Sequence, residues 1–340
     1  MLDPLRVESY DYKLPSELIA KHPVHPADRA KLLVYERKTD RVTHALFKDI
    51  VEFLPKDTHF IFNNTKVIKA RIFGKKETGG KIELLLNRPL KDNLFSVFIK
   101  GKVKPGTKLI FDEKLIADVV SLEKDGSRIV KFYKNLSELD FSSLVHILEK
   151  IGHIPLPPYI DRADMKEDEK NYQPVFAKTE GAVAAPTASL HFTKALFQRI
   201  KKEFNIHFVT LHVGAGTFKP VETEFITEHK MHSEYYEIPA DTQKIIDSNA
   251  KILAVGTTVT RTVEYYARTK NPFGECDLFL HPLNPPIRVN HLLTNFHLPK
   301  STLIMLVAAF IGVEKTLQLY RLAIEKKYRF YSYGDAMLVI

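Results

Sequence analysis

The sequence predicts an α/β domain with a mainly parallel sheet, plus an inserted small β-barrel domain. Three observations carry this. Residues 59–133 consist of short runs rich in β-branched and aromatic residues, several of them separated by the turn signals Gly79-Gly80, Pro105-Gly106 and Asp125-Gly126. Beyond residue 150, helical and extended patterns alternate, which is the texture of a mainly parallel sheet covered by helices. Residues 1–58 close no domain of their own, so they join 151–340 as one discontinuous α/β domain, with 59–150 as the insertion.

In chain order, Ser16 is placed to cap a short helix, 31–37 and 42–47 form a hairpin about Thr39-Asp40, and 49–54 is helical. The expected barrel strands are 60–62, 67–73, 82–86, 94–99, 108–111, 115–121 and 128–133. A helix over 142–150 precedes Pro155, Pro157 and Pro158, which force extended chain before the charged loop 161–170. The second half continues with helices at 194–204, 241–249, 259–268, 301–311 and 314–327, and strands at 206–213, 252–255, 277–280 and 336–340.

Composition bounds the function. At 340 residues, 44% hydrophobic and 27% charged, the chain is neither fibrous nor disordered and has a sizeable core. A net charge of +9 attracts polyanions, nucleic acid among them, although a mildly basic balance also serves solubility alone. One cysteine, Cys276, excludes an intrachain disulfide and a thiolate metal cage, and fits a reducing compartment. The N-terminal residues are polar, and the apolar run 303–312 is about half of the ~20 residues a membrane span needs, so a cytoplasmic protein with no membrane partner is expected.

Several segments could carry chemistry. The strand ending at His212 runs into Gly214-Ala215-Gly216, at the carboxyl edge where open α/β sheets place their ligands. Lys219 in the sixth position excludes the dinucleotide fingerprint, and a glycine turn beside a core histidine explains the segment equally well. Gly256-Thr257-Thr258 opens the helix that carries Arg261. That helix start suits an anion, a carboxylate or a ribose oxygen, or is simply capped by one of the threonines. The small residues 181–191, including Ala184, Ala185 and Thr187, let a flat purine approach, or serve dense packing. Thr294-Asn295-Phe296-His297 and Tyr331-Ser332-Tyr333-Gly334-Asp335 are dense in polar groups close to apolar runs, although such segments are more often turns. His229, His232 and Glu234 have weak metal spacing, so no metal is expected. Lys69 with Arg71, and Lys100, Lys102 and Lys104, each share a face if extended, which either follows a phosphate backbone or protects a strand edge.

Together these stretches resemble one family, the S-adenosylmethionine:tRNA ribosyltransferase-isomerases of queuosine biosynthesis, over nearly the whole chain. The resemblance rests on Tyr10-Asp11-Tyr12-Lys13-Leu14-Pro15, Phe62-Asn63-Asn64-Thr65-Lys66-Val67, Gly152-His153-Ile154-Pro155-Leu156-Pro157-Pro158-Tyr159-Ile160, 180–193, 211–218, 229–234, 256–258 with Arg261-Thr262, 293–299 and 328–337. Two regions depart from the pattern: 94–104 lacks a Trp and a Pro, and 282–290 lacks the usual Gly-Tyr-rich wording.

The resemblance implies a β-barrel inserted in an α/β domain. It also implies transfer of the ribosyl part of S-adenosylmethionine to 7-aminomethyl-7-deazaguanine in tRNA and its isomerisation to give epoxyqueuosine-tRNA, with release of adenine and methionine. S-adenosylmethionine is then a substrate, with no permanently bound cofactor, and the chain is expected to be a monomer. Acid–base chemistry at the sulfonium-activated ribose points to His212 first, then His191, His297 and Asp335. Thr257, Thr258 and Arg261 would hold the methionine carboxylate or ribose. Gly214 and Gly216 would admit the ligand, Ala184, Ala185 and Thr187 would wall the adenine, and Asn295 would orient a neighbouring group. Lys69, Arg71, Lys100, Lys102, Lys104, Lys194, Arg199, Lys201 and Lys202 are the candidate tRNA phosphate contacts. An S-adenosylmethionine-dependent RNA methyltransferase and a non-catalytic tRNA-binding protein are the alternatives.

Overall fold

The computed structural model describes residues 2–214 and 221–340. Its centre is a nine-stranded sheet in the order Phe273–Cys276, Glu234–Glu237, Asn205–Leu211, Thr58–Asn63, Lys251–Val255, His291–Asn295, Ala336–Val339, Lys31–Glu36, Arg41–Leu46. The four strands from Asn205–Leu211 to His291–Asn295 are parallel; antiparallel pairs extend the sheet on one side, and on the other Ala336–Val339 is antiparallel to His291–Asn295, Lys31–Glu36 parallel to Ala336–Val339, and Arg41–Leu46 antiparallel again. The sheet is therefore mixed, with the expected parallel pattern at its middle.

Alternation along each central strand explains how both faces are buried. Ile61, Ile252, Ala254 and Leu292 pack on one side beneath the helices Thr257–Thr269, Thr302–Ile311 and Val313–Glu325. Phe60, Phe62, Leu253, Val255 and Leu293 face the helix Lys194–Glu203 and the 3-10 segment Phe47–Phe53. The apolar run near 303–312 is thus a buried core helix. Among the described residues, no single helix is long and apolar enough to cross a membrane.

The inserted barrel closes through six antiparallel strands: Arg71–Lys76, Lys81–Pro89, Leu94–Lys100, Lys108–Ile110, Leu115–Leu122 and Arg128–Lys134, with the last two also paired to each other. The helix Phe141–Ile151, capped by Asp140 on the Ser143 N–H at 2.8 Å, packs Leu144, Val145, Ile147 and Leu148 into the barrel core. Chain entering and leaving the barrel runs side by side, with the His153 N–H on the Arg71 carbonyl at 2.8 Å.

Several boundaries differ from the sequence expectation. Thr58–Asn63 is a central strand of the large sheet, so the insertion begins after it and not at residue 59. A run of Phe and Ile fits a barrel wall and a doubly covered strand equally well. The strand expected at 277–280 is instead Phe273–Cys276, and the strands Glu234–Glu237 and His291–Asn295 are additions to the expected set. Ser16 begins a 3-10 turn with no side-chain cap, and 47–53 is 3-10 as well.

One buried side chain fixes where the two middle strands end. The Asn63 carboxamide accepts from the N–H groups of Thr65 and Leu211, both at 3.1 Å, and donates to the Leu211 carbonyl at 2.9 Å. Asn63→Ala should cost about 2–4 kcal/mol by leaving these buried groups unmatched. Urea denaturation measures this, and a loss of under about 0.5 kcal/mol, the size of an ordinary surface change, would show that the cross-link is not structural.

Candidate functional site

The carboxyl ends of the parallel strands open into a narrow cleft lined by Tyr159, Ala184, Ala185, Thr187, Thr257, Thr258, Asn295, His297, Tyr331 and Ser332, among others. Lys251–Val255 turns at Gly256, whose φ of +97° favours glycine, straight into the helix Thr257–Thr269. No side chain caps that helix, so its first N–H groups remain available, and the buried Thr258 Oγ1 has no hydrogen-bond partner. Six residues named from the sequence as cofactor contacts are brought together here: Ala184, Ala185, Thr187, Thr257, Thr258 and Asn295.

Asn295 is the hub of the cleft. Its Oδ1 accepts from Thr187 Oγ1 at 2.9 Å, and its Nδ2 lies 3.1 Å from His191 Nε2 and 3.2 Å from the Tyr331 carbonyl. Tyr331 is buried at φ +71°, a strained conformation for an aromatic residue, and its ring centroid is 4.4 Å from that of Tyr159. Burial also raises the Tyr331 phenol to about 12, so it stays protonated.

Three of the acid–base candidates lie in surroundings that suit structure better than proton transfer. Burial pushes His191 down to about 3, helped by the charge of Arg329, and His191 stands behind Asn295 instead of lining the cleft. His297 does line it, with Nε2 2.7 Å from Thr294 Oγ1, but burial takes it to about 3 as well. Both rings are neutral at working pH and are poorly matched to it as acids or bases. Asp335, 2% exposed, accepts from the backbone N–H of Lys31 at 3.0 Å and of Arg329 at 2.7 Å, and from the Arg329 guanidinium at 3.3 Å. It ties the C-terminal strand to its surroundings and does not line the cleft.

His212 occupies a second compartment, a cavity of about 690 Å3 between the two domains. The barrel contributes Asn87, Arg88, Phe98 and Asp125. The α/β domain contributes Gly181, His212, Gly214, Glu234 and Tyr235. Val213 lines the cleft while its neighbours His212 and Gly214 line the cavity, so the two spaces lie back to back across one strand end. His212 Nδ1 is 2.8 Å from Thr65 Oγ1, and its ring lies nearly parallel to that of Tyr235. Burial lowers its pKa, keeping the ring neutral and able to accept a proton.

Arg261 is not free for a ligand. It is buried, pairs with Glu234 at 2.6 Å, and donates to the carbonyls of Leu278, Cys276 and His232. Glu234 also accepts from the Gly214 N–H at 3.0 Å, so this ion pair shapes the turn after His212. Gly216 lies outside the described residues.

The cationic candidates divide in a similar way. Lys69 bonds to Glu169 and the Glu149 carbonyl, Arg71 to the Leu156 carbonyl and Glu83, and Arg199 to Glu52 and Glu203. Lys100 ends its strand at Gly101, so Lys102 and Lys104 do not continue its face. Lys100, Lys102, Lys104, Lys194, Lys201 and Lys202 are exposed and outside every ion pair among the described residues. The ion pair of Lys56 with Glu203 puts the end of the helix Lys194–Glu203 at the start of Thr58–Asn63, so Lys201 and Lys202 sit on the sheet edge opposite the cleft.

A two-domain protein with a ligand cleft at the sheet's carboxyl edge and a second cavity under an inserted barrel is thus defined, and its relatives agree. A family model described as queuosine biosynthesis protein matches residues 7–339, and the chain belongs to that family. It is 69% identical over 340 residues, all of both chains, to the S-adenosylmethionine:tRNA ribosyltransferase-isomerase of a Nitratiruptor species. It is 62% identical, again over both full lengths, to that of Aliarcobacter butzleri. The crystal structure of S-adenosylmethionine tRNA ribosyltransferase from Thermotoga maritima aligns with TM-score 0.55 and 34% identity, covering 98% of this chain and 100% of that one.

Thr65, Tyr235, the conformation of Tyr331 and the pairing of Glu234 with Arg261 are site features that sequence reasoning does not single out. Only their occurrence inside or beside the family-like stretches signals them. Asp335→Ala should cost about 3–5 kcal/mol, because it strips a buried carboxylate from two N–H groups and a cation, with Asp335→Asn intermediate. Thermal or urea unfolding of the pure variants checks this. An Asp335→Ala protein of wild-type stability and no activity would return Asp335 to a chemical role.

Proposed function

We propose that the cleft holds S-adenosylmethionine and that His212, reaching from the adjoining cavity, removes a proton from the ribose carbon next to sulfur. The chain is an S-adenosylmethionine:tRNA ribosyltransferase-isomerase of queuosine biosynthesis, in keeping with its family and its full-length relatives. The sulfonium acidifies the 5′ hydrogens of the ribose, so the reaction needs a base that is neutral at working pH and within reach of that carbon. The observation that carries the assignment is that Val213 faces the cleft while His212 and Gly214 face the interdomain cavity.

The remaining roles follow from chemistry. The open helix start and the unpartnered Thr258 hydroxyl suit the methionine carboxylate or a ribose oxygen. Ala184, Ala185 and Thr187 leave room for a flat adenine near Tyr159 and Tyr331. The cavity under the barrel, with the half-exposed Tyr235 ring beside His212, suits the acceptor base, 7-aminomethyl-7-deazaguanine, splayed out of the anticodon loop. Lys100, Lys102, Lys104 and Lys194 are the cations left to meet phosphates. Adenine and methionine leave and epoxyqueuosine-tRNA remains. The chain would act as a monomer in the cytoplasm.

His212→Ala should lower adenine release by at least ~100-fold while tRNA affinity is kept. Because burial lowers the wild-type His212 pKa, the active neutral form persists as pH falls through 6.5, and the acidic limb of kcat lies below that value. Chromatography of products decides the class: adenine plus methionine supports the reading, S-adenosylhomocysteine would mean methyl transfer, and unconsumed S-adenosylmethionine with bound tRNA would mean a binding protein. Affinity for tRNA should fall steeply with salt, by about tenfold or more between 50 and 200 mM, when several phosphates are neutralised. Flat affinity over that range would remove the lysines from the interface.

A further inference from the structure

We propose that Thr65 and Gly181 are positioning residues that fix His212 in the tautomer whose Nε2 lone pair is free to accept a proton. The inference rests on the assignment of His212 as the base.

Thr65 is fully buried, so water cannot replace its hydroxyl as the partner of His212 Nδ1 at 2.8 Å. The same oxygen lies 3.5 Å from the Thr179 carbonyl. A hydroxyl has one hydrogen. Directed at that carbonyl, which can only accept, it leaves its lone pairs to receive Nδ1–H, and the Nε2 lone pair is then free. Thr65 is itself held in place by its N–H on Asn63 Oδ1 at 3.1 Å and by parallel pairing with Thr179.

Gly181 controls the plane of the ring. It sits where the pairing of Thr179–Ala182 with Thr65–Val67 shifts register, at φ +147°. A Cβ placed on it would meet His212 Cε1, Nδ1 and Nε2 at 2.7, 2.8 and 2.9 Å. Three nearly equal distances mean that the imidazole lies face-on against the glycine, so any side chain there displaces the whole ring. One residue thus directs the imidazole N–H, and the other supplies the flat surface on which the ring rests. Without them both tautomers are populated, and the one with hydrogen on Nε2 presents a donor where the reaction needs an acceptor.

The test uses the full-length protein labelled with 15N-histidine, with the variants Thr65→Val, Thr65→Ser, Gly181→Ala and His212→Ala. In the wild type, His212 should show an unprotonated Nε2. Thr65→Val should move the population toward Nε2–H and reduce kcat by about tenfold or more, with KM for S-adenosylmethionine and for tRNA changed by less than about twofold. Thr65→Ser should restore both the tautomer and the rate, which a loss of fold alone would not allow. Gly181→Ala keeps the hydroxyl and should still lose kcat.

Thr65→Val with wild-type kcat and an unchanged nitrogen spectrum overturns the tautomer role, and Gly181→Ala with wild-type kcat overturns the cradle. Should His212→Ala keep releasing adenine, it is the base assignment that fails. An inactive His212→Ala beside a fully active Thr65→Val would sink only the present inference.

Discussion

The carboxamide of Asn63 is the constraint on which the site depends. Pairing between Thr58–Asn63 and Asn205–Leu211 stops at Val209 opposite Asn63, just where one chain must leave for the barrel and the other must turn toward the cleft. A side chain bonding to both backbone groups of Leu211 and to the Thr65 N–H carries the connection past the end of the ladder, so the strands part without orphaned groups. Asn64 extends the arrangement: its Oδ1 accepts from Thr210 Oγ1 at 2.7 Å, and its carbonyl accepts from the N–H groups of Lys178 and Thr179. Thr65, Thr179 and His212 are brought together by the same few bonds. The path to the barrel and the placement of the proposed base have one structural origin.

That origin also explains which features are legible in the sequence. Gly256-Thr257-Thr258 can be read because a strand end, a glycine and a helix start are contiguous, and the structure puts them in the cleft as expected. The small residues 184–188 are contiguous too. Arg261 misleads because its partners, Glu234 and the carbonyls of Cys276 and Leu278, come from other segments, and nothing local distinguishes a ligand-binding arginine from one satisfied by the fold. Asp335 and His191 mislead for the same reason. Their density of polar neighbours is real, but those neighbours consume their hydrogen-bonding capacity.

Charge shows the same divide between composition and placement. The excess of nine positive charges is a property of the whole chain, yet Lys69 and Arg71, a stripe by their spacing, are turned toward acids and carbonyls where the barrel meets its neighbours. Arg88 of the barrel likewise pairs with Glu275 of the edge strand at 3.0 Å. Exposed pairs of this kind contribute about 0–1 kcal/mol each, too little to lock two domains rigidly. Their effect is to withdraw those cations from the solvent-facing field. Exposed lysines outside the described ion pairs, Lys100, Lys102, Lys104 and Lys194 among them, therefore account for more of the attraction to a polyanion than the paired cations do.

The C-terminal segment supplies the remaining constraint, because it must hold Tyr331 where an aromatic residue is strained. A bulky side chain at φ +71° costs on the order of 1–3 kcal/mol and persists only if its surroundings over-determine it. They do so here. The Tyr331 N–H is bonded to the Phe296 carbonyl, its own carbonyl receives Asn295 Nδ2 and the Gly334 N–H, and Asp335 anchors the far side of the turn on Arg329 and Lys31. Relaxing the residue to negative φ would break several of these bonds together and swing its ring away from Tyr159. Asp335 and Asn295 thus hold a strained tyrosine against the cleft, as Thr65 and Gly181 hold the His212 ring in contact with them.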